Sequence, residues 1–160
     1  MLSEGHLTSE ERDIFEDFLF TAVTVQRRVD HDLTDEKNIS LSEYTALLRL
    51  SEVDGGRMRL TELAAAACLS LSRISRMVGK MENRGLVVRE PADGDRRGWN
   101  AVLTAIGRAR LHQSERSYAA SVRRHLLDHF DRQQFRDLSD LLAMIGPGPA
   151  RRQSRSPNAA

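Results

Sequence analysis

A single cysteine, Cys68, stands among 160 residues. No intramolecular disulfide can therefore staple the fold, and the chain suits a reducing cytoplasm. Long apolar runs are also missing. The longest, Phe18 to Val25, contains two threonines and falls far short of the roughly 20 residues that span a bilayer, so no membrane partner is expected. Met1 to His6 has neither the basic nor the apolar segment of a secretory signal. There is no nucleophile elbow, no phosphate loop and no His-Glu-x-x-His run. Carboxylates such as Asp30 and Asp32 stand two apart, which places them on different faces of a helix. An enzyme is not expected, nor a cofactor, nor a resident metal. No internal repeat of useful length occurs.

What remains is an ordinary globular composition, 40% hydrophobic and 29% charged, of a length that suits one domain. The net charge of +1 hides a strong asymmetry. Residues 1–54 hold 5 basic and 13 acidic side chains, net −8. Residues 55–112 hold 11 and 5, net +6, and the remainder 8 and 5, net +3. Such a division points the middle of the chain at a polyanion.

Thr8 and Glu11 form a capping box for a long amphipathic helix, 9–33, with Phe15, Phe18, Leu19, Ala22, Val25, Val29 and Leu33 on its stripe. Ser40 and Glu43 cap a second helix, which Asp54-Gly55-Gly56 stops. Met58-Arg59-Leu60 reads as a short extended piece, and Thr61 as the cap of a compact helix to Ala67. After a tight turn, Ser70 caps a helix to about Arg84, and Gly85 occupies its left-handed C-terminal position. Two short strands then flank Asp93-Gly94-Asp95-Arg96-Arg97-Gly98. Thr104 caps a helix to about Phe130 and Asp131 caps a last one, which Gly146-Pro147 ends. The expected fold is mainly α with a small β-hairpin wing. A winged helix-turn-helix at 40–104 lies between outer helices 9–33 and 105–146, followed by a basic, disordered tail, 147–160. The outer helices carry too much apolar stripe for the middle module to cover, so they need one another or a second copy of the chain.

The helix after Ser70 divides cleanly at about 100° per residue. Leu71, Ile74, Met77, Val78 and Met81 share a core face. Ser72, Arg73, Arg76, Gly79, Lys80 and Asn83 share the other, with Ser75 at the border. A solvated face would mix signs, yet this one carries three cations and no carboxylate. It suits a major groove, where arginine pairs with guanine, lysine neutralises phosphate, and serine serves either role. Ser70 to Arg76 form the N-terminal portion that a recognition helix aims at base edges, and Ser70 can set the helix N-terminus against a phosphate.

The runs Leu69-Ser70-Leu71-Ser72-Arg73-Ile74-Ser75-Arg76-Met77-Val78, Met81-Glu82-Asn83-Arg84-Gly85-Leu86-Val87, Asp95-Arg96-Arg97 and Leu103-Thr104-Ala105-Ile106-Gly107 occur in order. Together they resemble the multiple antibiotic resistance regulator (MarR) family of bacterial transcription factors across 9–146. The resemblance implies a homodimer interlocked through its first, fifth and sixth helices. Two winged modules would bind a pseudo-palindromic operator in double-stranded DNA, and the protein would usually act as a repressor. Many members release DNA when a small-molecule effector, an oxidant or a metal shifts the modules. The family's Asp-x-Arg wing signature falls on Asp95 and Arg97, implying a minor-groove arginine steadied by the aspartate, with Arg96 toward phosphate. The implied contacts are thus Ser70, Ser72, Arg73, Ser75, Arg76, Lys80, Asp95, Arg96 and Arg97. Trp99, at the wing base, either packs the wing or faces DNA. Gly79 departs from good helix chemistry at a cost of about 1 kcal/mol against alanine.

Other chemistry is thinner. His125 and His129 stand four apart, a spacing that can hold zinc, and a zinc-responsive regulator is one alternative. A winged helix used only for protein interaction is another. No third or fourth ligand is evident, so the histidines read better as plain helix surface. Cys68 reads as a small buried hydrophobe. Tyr44 either lines an effector cleft or fills the core with its hydroxyl at the edge.

Overall fold

The computed structural model describes residues 5–92 and 95–146, with the side chains of 95–97 excepted. The elements are α1 (Ser9–Lys37), α2 (Leu41–Ser51), β1 (Arg57–Arg59), α3 (Leu60–Ala66), α4 (Leu71–Asn83), β2 (Val87–Ala92), β3 (Asp95–Leu103), α5 (Ala105–His125) and α6 (Arg132–Ile145). Single 3-10 turns occupy Asp54–Gly56 and Leu127–His129. The tail expected at 147–160, and Asp93 and Gly94 of the wing tip, lie outside the described residues.

The caps explain where helices begin. Thr8 Oγ1 accepts from Glu11 N at 3.2 Å while the Glu11 carboxylate accepts from Thr8 N at 2.8 Å. Ser40 and Glu43 repeat this at 3.2 and 2.9 Å. Asp131 accepts from Gln133 N and Gln134 N to start α6. Three boundaries differ from expectation. α1 runs on to Lys37, because Asn38 adopts the left-handed conformation (φ 49°) that closes a helix. α3 begins at Leu60 rather than after Thr61, with Glu62 accepting from Arg59 N at 3.4 Å. α5 ends at His125, short of Phe130, where Leu126 leaves helical geometry (φ −140°, ψ −62°).

The sheet has the order β1-β3-β2, all antiparallel, so the extended piece at 57–59 joins the hairpin as a third strand. Rungs run regularly from Val87–Leu103 to Pro91–Trp99, then the register shifts and Ala92 pairs with Asp95. Residues 96–98 fall inside that irregularity, so simple alternation cannot be carried along the strand from Asp95 to Arg97.

One core joins the C-terminal half of α1 to the winged module and the start of α5. Leu33, Leu47, Leu50, Leu63, Ile74 and Met81 are wholly buried in it. Thr104 locks the exit from the wing: its hydroxyl lies 2.6 Å from the Gly85 carbonyl and accepts from Gly107 N at 3.0 Å. Gly107 is pressed so close to the Leu86 carbonyl that a Cβ would collide with it. The outer helices end differently. Phe15, Phe18 and Leu19 of α1, and Phe135, Leu141 and Leu142 of α6, stay 44–59% exposed. Among the described residues no helix is long and apolar enough to cross a membrane.

Candidate nucleic-acid interface

α3, the turn after it and α4 form the helix-turn-helix. Leu69 N returns to the Ala64 carbonyl at 2.9 Å, which folds the chain back and lets Leu69 pack on the core. Cys68 takes the left-handed position of that turn (φ 53°) and is exposed. The expectation of a buried Cys68 is therefore corrected: the turn turns Leu69 inward, and its neighbour points to solvent. Ser70 caps α4, its Oγ accepting from Arg73 N at 3.3 Å and lying 3.3 Å from Ser72 Oγ.

Ile74, Val78 and Met81 of α4 are buried and Met77 packs beside them. Leu71, expected on the same face, is instead 50% exposed. Ser70, Ser72, Arg73, Arg76 and Lys80 are exposed, and Ser75 is intermediate. The main chain of Asp95, Arg96 and Arg97 belongs to β3, on the wing beside this helix.

The cations divide into two groups. Arg49, Arg84 and Arg89 meet Glu52, Glu43 and Glu82 at 3.0, 3.0 and 2.7 Å, and Arg84 also donates to the Asn38 carbonyl at 2.6 Å. None of the ion pairs among the described residues involves Arg73, Arg76 or Lys80. The helix therefore presents three uncompensated positive charges over serine-lined backbone. Such a face attracts phosphate over distances of about one Debye length, roughly 10 Å.

Tyr44 is 3% exposed and stacks on Tyr118 of α5, ring centroids 4.4 Å apart. An open depression of about 360 Å³, lined by Arg57, Met58, Arg59, Glu62 and Asn100, does not include it. His125 and His129 do not share a helical face, since α5 ends between them. His125 is also not plain surface. Its Nε2 lies 2.9 Å from Asp32 Oδ2, which accepts from Ser121 Oγ at 2.6 Å and faces Arg124 at 3.4 Å. The Ser121 hydroxyl, ahead of His125 and Arg124, holds the Asp32 carboxyl below the usual range, against the opposing effect of burial. Among the described residues no group of three or more His, Cys, Asp and Glu is placed to hold a metal.

Sequence reasoning missed this Asp32 cluster, and also a contact between Glu82 on α4 and Arg89 on β2. Residues 89 or more apart made the first invisible to local spacing. The second had a faint signal: Glu82 is the one acid of α4 and sits off its cationic face.

A family model described as the MarR family matches residues 37–98, from the last residue of α1 into β3. The crystal structure of AbsC, a MarR family transcriptional regulator from Streptomyces coelicolor, is 34% identical (TM-score 0.77), covering 88% of this chain and 94% of that one. A second regulator of the family from the same organism, solved in complex with DNA, is 28% identical (TM-score 0.80), covering 88% of each chain. A mutant of the Escherichia coli MarR protein complexed with operator DNA is 20% identical (TM-score 0.75) and shares the fold, covering 89% of this chain and 100% of that one. Among curated protein sequences none matches. The outer helices, the winged module between them and the extent of these likenesses lead to one conclusion: the chain belongs to the MarR family of transcriptional regulators.

Proposed function

We propose that this regulator binds double-stranded DNA as a homodimer and acts as a repressor that a small-molecule effector releases. The observation that carries the DNA contact is the outer face of α4, whose exposed Arg73, Arg76 and Lys80 have no carboxylate partner among the described residues. Ser70, Ser72, Ser75, Arg73, Arg76 and Lys80 serve the major groove. Arg97 serves the minor groove with Asp95 as its orienter, and Arg96 the backbone. A 28% identical relative solved with DNA supports the same reading. The exposed stripes of α1 and α6 support the homodimer, because a second copy is the partner that offers a matching apolar face. Residues 9–146 act as one unit in this reading, and the bacterial cytoplasm is its compartment. An effector would act where Tyr44 and Tyr118 stack between α2 and α5, parting the winged module from the outer helices.

The test is a salt titration of DNA affinity with Arg76→Ala and Arg97→Ala. Wild type should lose affinity steeply as salt rises. Arg76→Ala should cost about 1–3 kcal/mol and relax the preference at one position if it reads a base. Arg97→Ala should reduce the preference for a narrow A·T minor groove. Salt-independent binding of the wild type would point instead to a protein-interaction module.

A further inference from the structure

Glu82 is the one acid of α4, and a bystander carboxylate there would repel the polyanion that its helix approaches. It points at the wing. β2 is an edge strand, with N–H groups left over from the ladder. The N–H of Arg89 donates to Glu82 Oε1 at 2.9 Å, and Arg89 Nε donates to Oε2 at 2.7 Å. Both carboxylate oxygens are thus engaged by one residue. The backbone bond, then the guanidinium, holds Glu82 below the usual carboxylate range. The same guanidinium lies 5.9 Å from the ring centroid of Trp99 on β3. Arg89 pairs with Ala101 and Pro91 with Trp99, so Arg89 and Trp99 are diagonal neighbours on one face of the hairpin. Trp99 remains 47% exposed and is the chain's single tryptophan.

We propose that Glu82 and Arg89 are positioning residues which, with Trp99, brace the wing against α4 so that both elements meet DNA at a fixed angle. The proposal rests on the DNA-binding reading above. Helix and wing must enter neighbouring grooves together. Core packing of Val87, Ala101 and Leu103 holds only the base of the hairpin, and an outer wing without the Glu82–Arg89 contact would have to be ordered during binding, at a cost in affinity. The brace makes that ordering part of the fold. It also explains why an acid is kept on the recognition helix and why Arg89, exposed and cationic, is spent on a carboxylate.

The sign of one substitution separates the brace from a bystander. Removing a bystander acid tightens DNA binding at low salt, whereas removing a brace loosens it. Duplexes selected in vitro from a random pool by the wild-type protein supply the specific probe, with unselected duplex as the control. Fluorescence anisotropy of labelled duplexes is then read for Glu82→Gln, Arg89→Gln and the double variant across a salt series. Each single variant should weaken the selected duplex about tenfold. The double should lose no more than either single, since the residues act as one unit. The Arg89→Gln salt slope should match wild type; a phosphate contact would instead lower it by about 0.9. Without DNA, acrylamide should quench Trp99 emission more readily in Glu82→Gln than in wild type. Glu82→Asp, which keeps the charge but shortens the arm, replaces Glu82→Gln if that variant melts early, and should weaken binding likewise. Equal or tighter binding by folded Glu82→Gln, with unchanged quenching, overturns the brace. Failure of the wild type to select any duplex overturns the DNA reading instead, and the quenching comparison still judges the brace.

Discussion

Leu63 and Phe18 are both large apolar residues on amphipathic helices, yet Leu63 is wholly buried and Phe18 is half exposed. The winged module covers its own stripes: α2, α3, α4 and the three-stranded sheet close on one core with the end of α1 and the start of α5. The N-terminal half of α1 and the whole of α6 do not. Periodicity says that a helix has an apolar face, and nothing about what covers it. In the module the cover comes from nearby elements of the same chain. At the ends it has to come from elsewhere, and a second copy is our reading.

Substitutions on the two sides should therefore fail in different ways. Leu63→Ala should cost about 2–5 kcal/mol in chemical denaturation, as expected for a cavity in a closed core. Phe18→Asp should have its largest effect on mass, converting a dimer to monomer in sedimentation and removing the protein-concentration dependence of Tm. A wild-type protein that sediments as a monomer at all concentrations would break the comparison. Between the regions, Asp32 of α1 holds Ser121 and His125 of α5. Its lowered pKa means that its contribution to stability is complete above a pH of about 4 and is lost as pH falls through the lowered value. Asp32→Asn should flatten that acid limb in a pH series of denaturation midpoints, and an unchanged limb would deny Asp32 its role. The smallest effect is expected at Gly79, where an added Cβ meets nothing within 4 Å. Gly79→Ala should stabilise the fold by about 1 kcal/mol. A simultaneous loss of DNA affinity would mean that DNA approaches the α4 backbone there.

Much of this was legible from the residues. Thr8, Ser40, Ser70, Thr104 and Asp131 all cap helices, because capping is a contact between residues two or three apart. The two faces of α4 separate as their angles required, Leu71 excepted. Failures occurred where a tertiary partner or backbone turn decided. Cys68 is small and apolar enough for a core, but the left-handed turn gives the inward position to Leu69. His125 reads from local spacing as plain helix surface, but Asp32, 93 residues away, holds it, and the helix ends before His129.

By itself the sequence determined the order of the elements, their caps, the cationic helix face and the apolar stripes, since each depends on neighbours within about one or two helical turns. Only the tertiary structure decided which charges are spent and which are left over. Arg84 and Arg89 were as cationic on paper as Arg73 and Arg76, but carboxylates from α2 and α4 reach the first pair and none among the described residues reaches the second. An ion pair depends on distance in space, and chain separation does not reveal it.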